Sequence, residues 1–332
     1  MNRLFEFCAR NGWKITAVVL AAMIVFPFVV TSSYVLRIAI TVLMYIMLSL
    51  SLNLLVGHLG LMSMGHAAFW GIGAYTAAIL STRFNVSSLG TFLAAMVIAG
   101  VFGMILGLPV LKLKGYYLTV VTLGFCEIIR LVELNSMNLT NGPLGISRIP
   151  SLNFFGVVFK SSRSVYFVAL ALVVLTVVVI YRIVNSRIGL AIMSIRDDDI
   201  AASSIGVNVF VYKVMVFIIS GMIAGLAGAF YAHYISYIDP SGFTTGQSMD
   251  LVILAIFGGL GSIPGAILGA AVLTILPETM RALMEYRSLI YGIVIVIMMM
   301  VKPDGILGKV NFKYIRQRQQ MEKASGKEGA QA

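Results

Sequence analysis

Residues 182–213 read RIVNSRIGLAIMSIRDDDIAASSIGVNVFVYK, the longest part of the second half of the chain without an apolar run of membrane length. The runs on either side, 165–181 and 212–236, are soluble only in hydrocarbon, so this gap reads as a polar connector between two membrane helices. Inside it Arg196 precedes Asp197, Asp198 and Asp199. The small residues Ala201, Ala202, Ser203 and Ser204 follow, and Gly206-Val207-Asn208 closes the segment. Aspartate favours a first helical turn, where its carboxylate accepts free N–H groups, and glycine favours the residue just past a helix end. A short helix beginning near Asp197 to Asp199 and stopping at Gly206 is therefore expected. A helix of about two turns is marginal in water by itself and needs a surface to dock on. The plain alternative is a solvated loop.

Composition sets the surroundings of this connector. Of 332 residues, 59% are hydrophobic and only 11% charged. Soluble domains carry about a quarter charged residues, so the chain reads as an integral membrane protein. Cys8 and Cys126 have neither disulfide nor metal-ligand spacing. The N-terminus, MNRLFEFCARNGWK, is basic before an apolar segment but lacks a small-x-small cleavage site, which predicts a retained first span.

Apolar runs fall at 15–30, 34–56, 61–80, 88–111, 115–134, 165–181, 212–236, 247–260, 263–277 and 289–301. The expected fold is all-α, a polytopic transmembrane helical bundle of about ten spans, with short or broken helices around Gly258 to Gly265. There the sequence GGLGSIPG must turn, and the flanking runs read equally as two shallow crossings or as an interrupted helix with a re-entrant segment. With a cytoplasmic N-terminus, sixteen Lys and Arg fall on inner segments and six on outer ones, while Arg37 and Arg130 lie within spans. That asymmetry puts both termini and the connector on the cytoplasmic side and accounts for the net charge of +11 without nucleic acid.

Glycines at helix-packing intervals (Gly103 and Gly107; Gly221, Gly225 and Gly228; Gly261, Gly265 and Gly269) predict close helix crossings in lipid. The outer loop 135–164, with its core NSMNLTNGPLGISRIP, reads as turns suited to meeting a soluble partner or shaping an entrance. Residues 1–310 are expected to form one transmembrane domain, and 311–332 a basic, disordered cytoplasmic tail.

Polar groups within spans are costly and so informative. Glu127 and Arg130 sit three apart and can pair on one helix face, as a structural ion pair or as part of a pathway. His66, in GLMSMGHAAFWGIGAY, either links helices or lines a pathway, and His233 reads as an interfacial residue near Asp239. No GxxxxGK[ST] loop, nucleophile elbow or HExxH occurs, so neither nucleotide binding nor enzymatic chemistry is expected of this chain, and no cofactor. The acidic residues at hydrocarbon depth are few, which disfavours an autonomous ion-coupled transporter.

Several stretches together resemble one family. They are NLLVGHLGLMSMGHAAFWGIGAYTAAIL (Asn53–Leu80), LKLKGYYLTVVTLGFCEIIRLVELN (Leu111–Asn135) with LTNGPLGISRIP after it, SRIGLAIMSIRDDDIAASSIGVNVFVYK (Ser186–Lys213), and the run Gly221–Gly269 with AGLAGAFYAHYISYIDP and FGGLGSIPGAILGA. The ending YGIVIVIMMMVKPDGILG (Tyr291–Gly308) also matches, and the stretches cover about two thirds of the chain. They resemble the permease subunits of bacterial branched-chain amino-acid ABC importers, specifically the M-type subunit. The resemblance implies an inner-membrane heterodimer with an H-type paralogue, two cytoplasmic ATPase subunits and a periplasmic binding protein that delivers leucine, isoleucine or valine. The same motifs occur in relatives for urea, short amides or other amino acids. The family's Glu-Ala-Ala-x3-Gly coupling pattern falls on Ile200-Ala201-Ala202-Ser203-Ser204-Ile205-Gly206, with Ile200 at the acidic position and Asp199 one residue earlier.

Overall fold

The computed structural model describes residues 12–30, 32–110, 115–154 and 157–279, together with 286, 289, 292, 293, 296, 300, 305 and 306. Lys112, Lys114, most of the run 289–301 and the tail 311–332 lie outside the described residues. The chain divides into two compact units, Met1–Ser32 with Lys309–Ala332, and Ser33–Gly308. In the first, the described element is helix α1, Gly12–Val29, which carries Pro27 in its last turn.

The second unit is built mainly from helices. They are α2 (Ser33–Asn53), α3 (His66–Arg83), α4 (Ser88–Val110), α5 (Tyr116–Asn135), the single turn α6 (Met137–Thr140), and α7 (Ser162–Val184). After the connector come α10 (Val209–Ile235), α11 (Thr245–Gly258) and α12 (Ile263–Thr279). Four helical stretches are long and apolar enough to cross a membrane: Ser33–His58, Ser88–Pro109, Ser162–Val184 and Val209–Ile235. Ala17–Val29, Thr245–Gly258 and Ile263–Glu278 are shorter apolar helices.

The core forms where α10 lies against α3, α4 and α2. Lipid offers no hydrophobic drive between helices, so the crossings depend on backbones coming close. A Cβ on Gly221 or Gly225 would strike the Ala99 or Ala95 backbone of α4, and one on Gly228 or Gly73 would strike the backbone across the α3–α10 crossing. Gly103 of α4 rests on the Phe217 carbonyl in the same way. Ser51 and Ser220 then clamp α2 to α10, each hydroxyl donating to the other's backbone carbonyl, at 2.6 and 2.8 Å.

Two helices are interrupted. α2 continues as a wide π turn, Leu54–His58, and the chain leaves it through Gly60 at φ +78°. The run expected over 61–80 therefore becomes helical only at His66, because the unwound backbone of residues 59–65 brings the chain back into the bundle first. Between α11 and α12 the chain reverses at Gly259 and Gly261, both at positive φ. Gly258 and Gly265 touch backbone to backbone, and Gly269 packs against Leu254 and Gly258. Gly265 therefore belongs to a helix–helix contact, whereas Gly261 belongs to the turn. The two form an antiparallel hairpin, and α11, with 14 residues, extends only ~21 Å.

The all-α expectation needs one addition. Among the described residues, β1 (Ile146–Ser147) pairs with β4 (Tyr237–Ile238), and β2 (Asn153–Phe154) with β3 (Val157–Val158). The first ladder forms where the 136–161 loop crosses the end of α10, and the second lies within the loop; both satisfy backbone groups that would otherwise be unpaired. His233, in the last turn of α10, is buried, with Nδ1 donating to the Pro150 carbonyl at 2.8 Å and Nε2 meeting Thr91 Oγ1 at 2.8 Å.

Candidate functional site at the connector

The connector folds as two short helices, α8 (Arg187–Asp197) and α9 (Asp199–Ser204). Ser186 caps α8, accepting from the Ile188 N–H at 3.1 Å, and Gly189 is required because a Cβ would run into the Val184 carbonyl. Gly189, Ile192 and Ile195 form the buried face of α8. The aspartate run splits between the helices: Asp197 ends α8, Asp198 is the extended residue between them, and Asp199 begins α9. The Asp198 carboxylate accepts from Ile200 N at 2.8 Å and Ala201 N at 3.0 Å, which satisfies two of the free donors at the helix start. At the far end Val207 N donates to the Ala202 carbonyl at 3.1 Å and Gly206 N to Ser203 at 3.0 Å, with Gly206 at φ +87°. That reversal is the glycine-terminated helix end, for which a side chain would be strained.

The helix so fixed presents an unusual surface. Ala202 faces inward at 2% exposure, whereas Ile200 and Ile205 stand out at 68% and 77%. With Asp199, Ser203, Ser204 and Val209, Ile200 lines a shallow recess of ≈ 330 Å³. Burying each isoleucine against a partner would contribute about 1–2 kcal/mol. Asp199 also ties the helix to α10 through Lys213 Nζ at 3.5 Å.

Arg196 connects this surface to both helix breaks. Its guanidinium donates to the Gly57 carbonyl in the π turn. Gly60 lies against its Cγ, and a Cβ on Gly261 would sit 2.9 Å from Nη1. Asn53, the last residue of α2, completes the junction by donating to the Ser262 carbonyl at 3.0 Å and accepting from Gly261 N at 2.9 Å. The connector, the π turn and the α11–α12 turn thus meet at one hydrogen-bonded node. Sequence reasoning passed over Arg196 and Asn53 as site residues. The available signal was a polar Asn53 at the end of an apolar run, four residues before a glycine.

The other polar residues lie apart from the node. His66 is fully buried, and its Nε2 donates to Ser51 Oγ at 2.8 Å, because the serine's own proton goes to the Ser220 carbonyl. It therefore joins α2, α3 and α10. Glu127 and Arg130 form a forked ion pair on α5, with Arg130 Nε 3.0 Å from Glu127 Oε1. Glu133, one turn after Arg130, lies on the buried side of the same helix, against Gly71.

Long apolar helices, buried glycine crossings and a capped short helix in a polar connector bonded to the helix interruptions mark a helical membrane protein of the permease class. The chain belongs to the family described as the branched-chain amino acid transport system permease component, whose pattern matches residues 34–300. It is 37% identical over 311 residues to the high-affinity branched-chain amino acid transport system permease protein LivM of Salmonella typhimurium, covering 87% of this chain and 73% of that protein. LivM of Escherichia coli K12 is 37% identical over the same shares. LivH of Escherichia coli K12 is 25% identical over 292 residues, 80% of this chain and 91% of that protein. No solved structure matches the chain. A family of transport permease components is not in itself a family of enzymes.

Proposed function

We propose that this chain is the M-type permease subunit of an ATP-binding-cassette importer for branched-chain amino acids. It would cross the inner membrane about ten times with both termini in the cytoplasm, and pair with an H-type paralogue. A periplasmic binding protein would deliver the solute at the 136–161 face, and two ATPase subunits would act at the connector. Residues 311–332 would be a cytoplasmic tail outside the permease domain. The observation that carries the coupling role is the outward ridge of Ile200 and Ile205 on a helix whose Ala202 face is packed inward. An ATPase groove that receives the ridge gains the burial energy of both side chains.

The mechanical consequence follows from Arg196. When the ATPases close, α8 and α9 move as a rigid lever, and Arg196 carries that motion to Gly57 and Gly261. Both lie in interrupted backbone, where a φ/ψ change is cheap compared with bending a continuous helix. Binding energy at the cytoplasmic surface is thereby turned into displacement of α2, α11 and α12.

The test is reconstitution with the paralogue, ATPases and binding protein. Ile200→Asp/Ile205→Asp changes only exposed side chains and should leave insertion intact while uptake coupled to ATP hydrolysis is abolished. Normal uptake by that variant would remove the coupling role. Flux by this chain alone under an ion gradient would instead favour an autonomous transporter.

A further inference from the structure

The two faces of α5 are unequal. Leu118, Thr122, Cys126, Ile129 and Glu133 are buried against the chain's own helices. On the other side Arg130 and Glu127 keep 25% and 37% of their side chains exposed, and Ile128 and Leu131 stand open beside them. A Cβ on Gly124, one turn before Glu127, would meet nothing within 4 Å. In the ten-span reading proposed above, Glu127, ~17 Å from the start of α5 and ~12 Å from its end, stands at hydrocarbon depth. Exposed isoleucine and leucine suit lipid, but charged groups at that depth face protein or water.

We propose that this face of α5 is a wall of the solute pathway, and that Glu127 and Arg130 together take the zwitterionic head group of an α-amino acid in transit. The proposal rests on the amino-acid import reading above. The guanidinium fork matches the solute carboxylate with two parallel N–H···O bonds, and the Glu127 carboxylate accepts the solute ammonium. Without solute the two side chains satisfy each other, so neither charge stands alone. On arrival, one protein–protein ion contact is exchanged for two protein–solute contacts of the same kind, and no net charge enters the site. Such an exchange holds the solute weakly enough for release, as passage requires. The open apolar positions Ile128 and Leu131 lie where an aliphatic side chain would follow its head group.

The decisive variant removes both charges at once. Glu127→Gln/Arg130→Gln leaves neither member of the pair as a lone ion, so a merely structural pair is dispensable and the complex should still assemble. If the pair holds solute, leucine uptake falls by at least about tenfold while ATP hydrolysis stimulated by the binding protein is retained. Wild-type uptake by the assembled double variant overturns the proposal. A wild-type complex that imports no amino acid but imports another solute overturns the import reading itself, a separate result. Aqueous access supplies a readout independent of uptake and of the double variant. Gly124→Cys, in a chain carrying Cys8→Ser and with Cys126 buried, should react with a membrane-impermeant methanethiosulfonate in the assembled complex. Leucine-loaded binding protein should slow that labelling during turnover. A position 124 thiol that no aqueous reagent reaches places this face in lipid and overturns the proposal.

Discussion

The two ends of α10 are held in opposite ways. At Ile235 the helix runs into a pinned corner: β4 pairs with β1, and His233 bonds both Pro150 and Thr91. At Val209 it follows a helix end closed by a positive-φ glycine, and the adjoining connector joins the bundle through the buried face of Ile192 and Ile195 and through long side chains, Lys213 to Asp199 and Arg196 to Gly57. Backbone ladders and a buried imidazole define position. A guanidinium on a flexible stem, set against glycine turns, leaves the backbone at each end free to adjust. Under the coupling role proposed above, one end is an anchor and the other a lever.

The sharpest way to break this comparison is at Arg196. Arg196→Ala should lower uptake per ATP hydrolysed by about tenfold or more, a change worth ~1.4 kcal/mol in coupling. Arg196→Lys should restore only part of it, because an ammonium lacks the planar fork. Equal uptake per ATP in the alanine variant would leave the lever without its link. His233→Ala tests the anchor: it should lower unfolding stability by about 1–3 kcal/mol, since the Pro150 carbonyl loses its donor while the Thr91 hydroxyl keeps only its bond to the Ser88 carbonyl. Thermal denaturation of the purified complex reads that loss, and uptake per ATP should stay unchanged. Asp198→Ala removes the cap of α9 and should cost about 1 kcal/mol of local stability, seen as faster amide exchange over residues 199–204. The smallest effect is expected from Gly206→Ala, which has open space around it but a strained φ, at roughly 1 kcal/mol or less. A larger loss than at Asp198 would mean that the helix end, not its start, sets the geometry of the ridge.

Much of the connector could be read locally. Asp198 and Gly206 act through their own backbone neighbours, and capping chemistry of that range is written in consecutive residues. The split of the aspartate run was less accessible, because all three residues favour a helix start equally and only the packing of Ile192 and Ile195 decides where α8 ends. The helical content and the long apolar spans also followed from composition and run length. The start of α3 at His66 did not, since residues 59–65 are as apolar as a span and are unwound by contacts with Thr122 and Arg196 on distant elements. The burial of His233 was not legible for the same reason: its partners, Thr91 and Pro150, are far along the chain.

By itself, then, the sequence determined that this is a helical membrane protein, where its polar connector lies, and which residues cap the short helix there. Hydrophobic run length and capping act over one to a few turns, so they need no knowledge of the rest of the chain. Only the tertiary structure decided which face of α5 carries the open ion pair, that Gly258 and Gly265 close a hairpin, and that Arg196 joins the connector to both helix breaks. Those outcomes depend on which backbones approach closely enough to exclude a Cβ. That distance is set by the packing of the whole bundle.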